Sequence, residues 1–176
     1  EAAKYNVLPL DDRRVERVSA ALAGRPTLIQ GKSQLLFSGM GRLSEHSILD
    51  LKNRSHSVTA VIDVPEGGAH GVVMAQGGAF GGWSVYAHEG VPAYCYNLFG
   101  VQQFKVRGSS VMEPGEHQVR VEFDYDGGGF GKGGTATLYV DGAQAAQGRI
   151  DGTVPMIFSL DETADIGRDT GTSVTD

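Results

Sequence analysis

Gly129, Gly131 and Gly134, in the stretch GFGKGG, have the G-x-G-x-x-G spacing that lets a backbone approach a dinucleotide pyrophosphate. That chemistry needs a helix directly after the glycines, because its free N–H groups and dipole hold the anion. Here an alternating stretch follows, with Thr135, Thr137 and Val140, so the motif lacks its helix. A P-loop fails as well. Asp126 stands where the first glycine belongs, and Gly133 stands where Ser or Thr would reach magnesium. The glycines are read as a flexible hairpin tip. Five histidines, His46, His56, His70, His88 and His117, stand singly, and Cys95 is the one cysteine, so zinc-site spacing is missing. Ser, His and Asp are present without a G-x-S-x-G nucleophile elbow. No catalytic and no metal-binding residue is assigned. Asp161, Glu162, Asp165 and Asp169 form an acidic cluster of the residue type that binds calcium at a sandwich rim. Their spacing is not that of an EF-hand, and they are read as solvated turn residues. Trp83, Tyr86, Tyr94, Tyr96 and Phe99 gather aromatic mass in one region. Such rings stack on sugars or aryl groups, and they also dominate core packing. Trp83 shares a face with Val85 and is read as core. Tyr86, Tyr94 and Tyr96 are the candidates for contact with a ligand or a neighbouring domain, Tyr86 foremost.

The elements that would carry these residues are strands. In 117–142, HQVRVEFDYDGGGFGKGGTATLYVDG, Val119, Val121, Phe123 and Tyr125 alternate with Gln118, Arg120, Glu122 and Asp124. Period two puts the first set in a core and the second in solvent. Ala136, Leu138 and Val140 repeat the pattern, and Asp141-Gly142 supplies the positive backbone angles of a two-residue hairpin into 143–150. Similar alternation runs through 57–64, 83–88, 93–98 and 104–107, and 72–75 is apolar on both faces, as in a central strand. The chain holds 26 glycines in 176 residues, about twice average usage, without a strict period. That composition fits many turns. Short strands with frequent turn signals predict an antiparallel β-sandwich over 27–176. The segment 1–26 differs: 5–10 is an apolar arm, and Val15, Val18 and Leu22 recur at helical spacing within 11–22. Gly24 and Pro26 end that short helix.

Net charge is −6, and no five like charges are consecutive, so nucleic acid is a poor partner. No apolar run approaches the roughly 20 residues that span a bilayer, so no membrane partner is expected.

Several blocks carry a family resemblance: EAAKYNVLPLDDR, LKNRSHSVTAVIDVPEGGAHGVVMAQGGAFGGWSVY, YNLFG, FDYDGGGFGKGGTATLYVDG and IFSLDETADIGRDTGTSV. In this order they resemble the carboxy-terminal part of bacterial arylsulfatases, over nearly the whole chain. The resemblance implies a parent that hydrolyses sulfate esters with a separate catalytic domain, using a formylglycine and a divalent metal, calcium or magnesium. Cys95 lies in Cys-Tyr-Asn-Leu, without the Pro and Arg of the formylglycine signature, and is not carried over as the nucleophile. The chain is then expected to be a non-catalytic piece, beginning after the catalytic domain, with no cofactor of its own. Its expected fold is an all-β antiparallel sandwich of the concanavalin-like or laminin-G-like jelly-roll class, with an amino-terminal arm and short helix. Its expected partner is the catalytic sulfatase domain of the same parent. The resemblance also implies further strands after 174–176, so an open sheet edge and a homodimer through it are expected. The alternative reading is a carbohydrate-binding sandwich. The compartment, bacterial cytoplasm or periplasm, stays open.

Overall fold

Alternation in the sequence becomes two facing sheets. The computed structural model describes residues 28–159 and 161–175, together with Glu1, Lys4 and Tyr5. The short helix expected over 11–22 and nearly all of the arm lie outside the described residues. A 3-10 turn at Glu45–Ser47 precedes nine strands: β1 (His56–Val64), β2 (Gly71–Gly78), β3 (Gly81–His88), β4 (Val91–Leu98), β5 (Gln102–Arg107), β6 (Gly115–Tyr125), β7 (Lys132–Val140), β8 (Ala143–Gly152) and β9 (Ala164–Ile166). One sheet has the order β1-β6-β7-β8 and the other β5-β4-β3-β2-β9, with every neighbouring pair antiparallel. Among the described residues no helix is long and apolar enough to cross a membrane.

The core forms where the two apolar faces meet. Val119, Val121 and Phe123 of β6, Ala136 and Leu138 of β7 and Ile150 of β8 are buried. They belong to one cluster with Met74, Trp83, Val85, Tyr94, Tyr96, Phe104 and Val106 of the larger sheet. Burying each large side chain contributes about 1.5–3 kcal/mol relative to leaving it in water. The same residues set the register. A one-residue slip of β6 would turn Arg120 and Glu122 inward, so the pairing Val121↔Leu138 is strongly specified. The β7–β8 turn is the predicted Asp-Gly hairpin, with φ of 50° at Asp141 and 81° at Gly142.

The two flanks differ. On one, β5 packs against β8, and a methyl group on Gly148 would come within 2.7 Å of Val106 Cγ2. A side chain there would push the sheets apart. On the other flank the larger sheet runs on past β2 to β9, and then to a backbone bridge between Leu43 and Ala164. Among the described residues the smaller sheet stops at β1.

Strands β3 and β4 are buried on both faces. Alternation puts Tyr94 and Tyr96 on one face and Cys95 on the other, and in the structure the tyrosine face is the core. The outward face is not bare: Ala75 and Cys95 form a second cluster with Val174, which the carboxy-terminal turns lay across the sheet.

Candidate docking surface

Three chain reversals meet at one end of the sandwich: β2–β3 at Ala79-Phe80, β4–β5 at Phe99-Gly100-Val101, and β6–β7 at 126–131. They lie close together. A methyl on Gly100 would touch the Ala79 carbonyl at 2.7 Å, and one on Gly81 would sit 3.3 Å from the Phe158 carbonyl. These reversals and the segment after β8 present Phe80 (72% exposed), Phe99, Val101 (87%), Phe130 (78%) and Met156 to solvent. Scattered exposed apolar residues need no explanation; large ones on reversals at one end make that end a candidate interaction surface.

Phe99 sharpens this reading. It has φ of 56° and Gly100 has φ of 71°, both in the left-handed region. That pair suits Asn-Gly or Asp-Gly, and a bulky aromatic there carries backbone strain. The strain places an aromatic ring at the tip of a tight turn.

Polar side chains, Asn97 among them fully buried, hold the reversals in place. Asn97 Nδ2 donates to the Val174 carbonyl at 3.0 Å and the Ala79 carbonyl at 3.1 Å, and its Oδ1 accepts the Gly100 amide at 2.8 Å. One side chain thus ties together the Phe80 turn, the Phe99 turn and the carboxy-terminal segment. Asn53 does the same for the other sheet. Its Nδ2 donates to the Pro155 carbonyl at 2.6 Å, and its Oδ1 accepts the Gly131 amide at 2.8 Å. The Tyr125 hydroxyl donates to the Gly129 carbonyl at 2.6 Å and accepts the Lys132 amide at 2.8 Å. The glycine loop, read from sequence as a flexible tip, is therefore stapled on both sides. Lys52, nearly buried, bonds Glu45 Oε1 at 2.5 Å and Asp50 Oδ1 at 2.7 Å. Glu45 Oε2 accepts the Phe158 amide at 3.0 Å, which fixes the segment beyond Met156.

The three tyrosines singled out in the sequence separate. Tyr94 is 2% exposed and Tyr96 is as deeply buried, so neither offers a ring to a ligand, and both are core residues. Period two places them on one face but does not say which face is covered. Burial pushes both phenols well above their ordinary range, and for Tyr96 the Val154 amide, donating at 2.8 Å, opposes the shift. The Tyr94 hydroxyl has no partner among the described residues. Tyr86 is half-buried on the outer face beside Ala75, Cys95 and Val174, and burial raises its phenol too. None of the three reaches the exposed loop end.

Of the four acidic residues read as solvated, Asp161 is exposed, but Glu162, Asp165 and Asp169 are drawn into the fold. Asp165 is buried; its Oδ1 accepts the Arg42 amide at 2.7 Å, and its Oδ2 accepts the Thr170 hydroxyl at 2.6 Å and amide at 3.0 Å. Burial opposes its charge, but these donors and the nearby Arg168 outweigh it and hold the carboxyl below its usual range. Glu162 Oε1 accepts the Thr172 hydroxyl at 2.7 Å, and Asp169 Oδ2 accepts the Val174 amide at 3.1 Å. Burial raises Asp169, and the charges of Asp165 and Glu162 add to the rise. These carboxylates fold the carboxy-terminal turns. Among the described residues no three His, Cys, Asp or Glu side chains converge as metal ligands. The divalent metal that the arylsulfatase resemblance implies therefore finds no fitting donor set among the described residues, and Cys95 is buried under Val174.

Comparison with known proteins supports the fold. The laminin G domains LG4-5 of the mouse laminin alpha1 chain superpose with a TM-score of 0.54 at 15% identity, over 77% of this chain and 33% of that one. This chain thus spans about a third of the length of that laminin structure. A heptameric SAP-like pentraxin from Limulus polyphemus matches at a TM-score of 0.37 and 12% identity, over 66% of this chain and 55% of that chain. No family model matches, and no curated relative does. The chain is an all-β, two-sheet antiparallel sandwich of the laminin-G-like, concanavalin-like class. The comparisons bring no support for an arylsulfatase parent.

Proposed function

We propose that this chain is a non-catalytic domain of a larger, arylsulfatase-like enzyme, and that it docks on the catalytic domain through its apolar loop end. The observation that carries the docking is the gathering of Phe80, Phe99, Val101, Phe130 and Met156 on reversals that Asn97 and Asn53 hold rigid. A preorganised surface loses little entropy on association. The sulfatase assignment rests on the sequence blocks alone. In this reading the formylglycine and the metal belong to the partner domain, and this chain supplies a covering wall.

The test is direct binding. An arylsulfatase catalytic domain, expressed separately, is titrated with the chain by calorimetry. Saturable binding that Phe80→Lys and Phe99→Lys weaken, with no turnover of an aryl sulfate by the chain alone in calcium or magnesium, supports the reading. Turnover by the chain alone contradicts it, and so does binding indifferent to both substitutions.

A further inference from the structure

β1 presents an unguarded edge. It pairs with β6 in unbroken register from His56↔Phe123 to Val64↔Gly115, and among the described residues no strand pairs with its other side. Natural edge strands are blunted by proline, lysine, bulges or shortness. β1 is nine residues long, HSVTAVIDV, with no Pro, no Lys and no bulge. Its inward residues Val58, Ala60 and Ile62 are still only half-buried. They open onto a groove of about 1320 Å³, whose apolar lining includes Leu36, Leu51, Val73 and Met74.

The roof over this groove decides what fits. With β8 against β5 and one strand fewer in the smaller sheet, counting strands across sets β1 opposite β2 and leaves β9 beyond it, and β1, Val72 to Met74 and Ile166 line the same groove. Residues 40–43 extend the overhang: the Leu43 amide donates to the Ala164 carbonyl at 3.0 Å, and the Ile166 amide donates to the Met40 carbonyl at 2.9 Å. Strands in a sheet lie about 4.8 Å apart and facing sheets about 10 Å apart, so a strand laid beside β1 fits beneath β9. A second copy of the chain fits poorly. Antiparallel pairing of β1 with its own copy uses a two-fold axis normal to the sheet, which brings both roofs to the same side, above the same seam. Residues 6–27 do not read as the missing strand either. Their apolar run at 7–10 is shorter than the nine residues of β1, and Val15, Val18 and Leu22 have helical spacing.

We propose that this flank is a strand-acceptor site. It takes one extended polypeptide segment from outside these 176 residues, with apolar side chains at alternate positions, bonded to the free edge of β1 and packed beneath β9. Main-chain bonds would supply affinity, and the groove pockets would select every second side chain. The site starts beside the loop end, where His56 pairs with Phe123, but its Ile62 half lies at the other end of β1, and its test uses the chain alone, so its failure leaves the docking reading standing.

The probe is a fluorescein-labelled synthetic peptide with the β6 sequence, GEHQVRVEFDY, which already complements β1 on its other side. A peptide of the same composition with the alternation scrambled is the control. Fluorescence anisotropy is expected to show the alternating peptide binding at least about tenfold more tightly. Hydrogen exchange of the wild-type chain is expected to show new protection confined to β1 and the β9 roof. Ile62→Lys, checked for folding by circular dichroism, should weaken binding by about tenfold or more, and Val101→Lys should leave it unchanged. Equal binding of the scrambled peptide overturns the proposal. So does protection elsewhere, a dimer that Ile62→Lys dissociates, or binding that appears only after residues 1–27 are deleted.

Discussion

Among the described residues β8 and β1 are the two edges of one sheet, and the molecule treats them differently. β8 lies against β5, its Gly148 makes room for Val106, and Arg149 and Asp151 flank its buried Ile150. Its register with β7 also shifts between Leu138 and Tyr139, a further guard against pairing with another chain. β1 has the more strand-like sequence, yet its inward residues meet a groove where those of β8 meet β5. Strand propensity therefore says nothing about closure. A flank is closed when the opposing sheet ends level with it, and open when that sheet runs on.

The largest effect that tests this contrast is a pair of truncations. Leu138→Ala, in the closed half, should cost about 2–5 kcal/mol in urea unfolding, as fully buried Leu does. Ile62→Ala, in the open half, should cost about 1 kcal/mol or less, since its side chain already meets the groove. Equal costs would mean that the groove is filled.

Asn97→Ala should follow closely. It strips the Gly100 amide and the Ala79 and Val174 carbonyls of a buried partner, for a loss of about 2–3 kcal/mol. Faster exchange at 79–81 and 99–101 would accompany it.

Tyr94 and Tyr96 give a smaller and more discriminating test. Tyr96→Phe removes the acceptor of the buried Val154 amide and should cost about 1–3 kcal/mol. Tyr94→Phe removes a buried hydroxyl without a partner among the described residues, and should be neutral or stabilising. A clear loss on Tyr94→Phe would reveal a bond to a group outside the described residues.

The smallest effects are in proton affinity. His56, at the start of β1, is lowered by burial, with the Arg54 charge adding and the Arg54 carbonyl opposing. A lowered histidine contributes stability that is present above about pH 6.5 and is lost as pH falls from there through the folded value. His117 is raised, first by its bond to Asp141 at 2.6 Å and then by the Glu113 carbonyl. Its contribution is present below about pH 6.5 and is lost as pH rises through the folded value. Nuclear magnetic resonance titration should therefore place His56 below and His117 above the ordinary value. The reverse order would place His56 in open solvent.

Much of this fold was legible in the sequence, for a physical reason. In β6 and β7 one face is wet and one dry, so Val119 to Tyr125 and Ala136 to Val140 alternate, and Asp141-Gly142 marks the turn between β7 and β8. β9 was not legible, because three residues carry no period. β4 is covered on both faces, so its alternation could not tell that Tyr94 and Tyr96 point into the core. Asp165 looked like a solvated acid because its partners, the Arg42 amide and the Thr170 hydroxyl, are supplied by folding. Of the docking surface, Asn97 in Tyr-Asn-Leu-Phe-Gly was the available signal, since Asn before a tight turn often bonds its backbone. The meeting of Phe80, Phe99 and Phe130 at one end is a product of topology and has no local signature.

The central claim is that this sandwich works by being held against a catalytic domain at its apolar loop end. Hydrogen exchange of the chain, alone and with an arylsulfatase catalytic domain, tests it most directly. The account predicts slowed exchange at 79–81, 99–101 and 129–131 in the complex, with β8 unchanged. Unaltered exchange at those three reversals in a complex that demonstrably forms would contradict it.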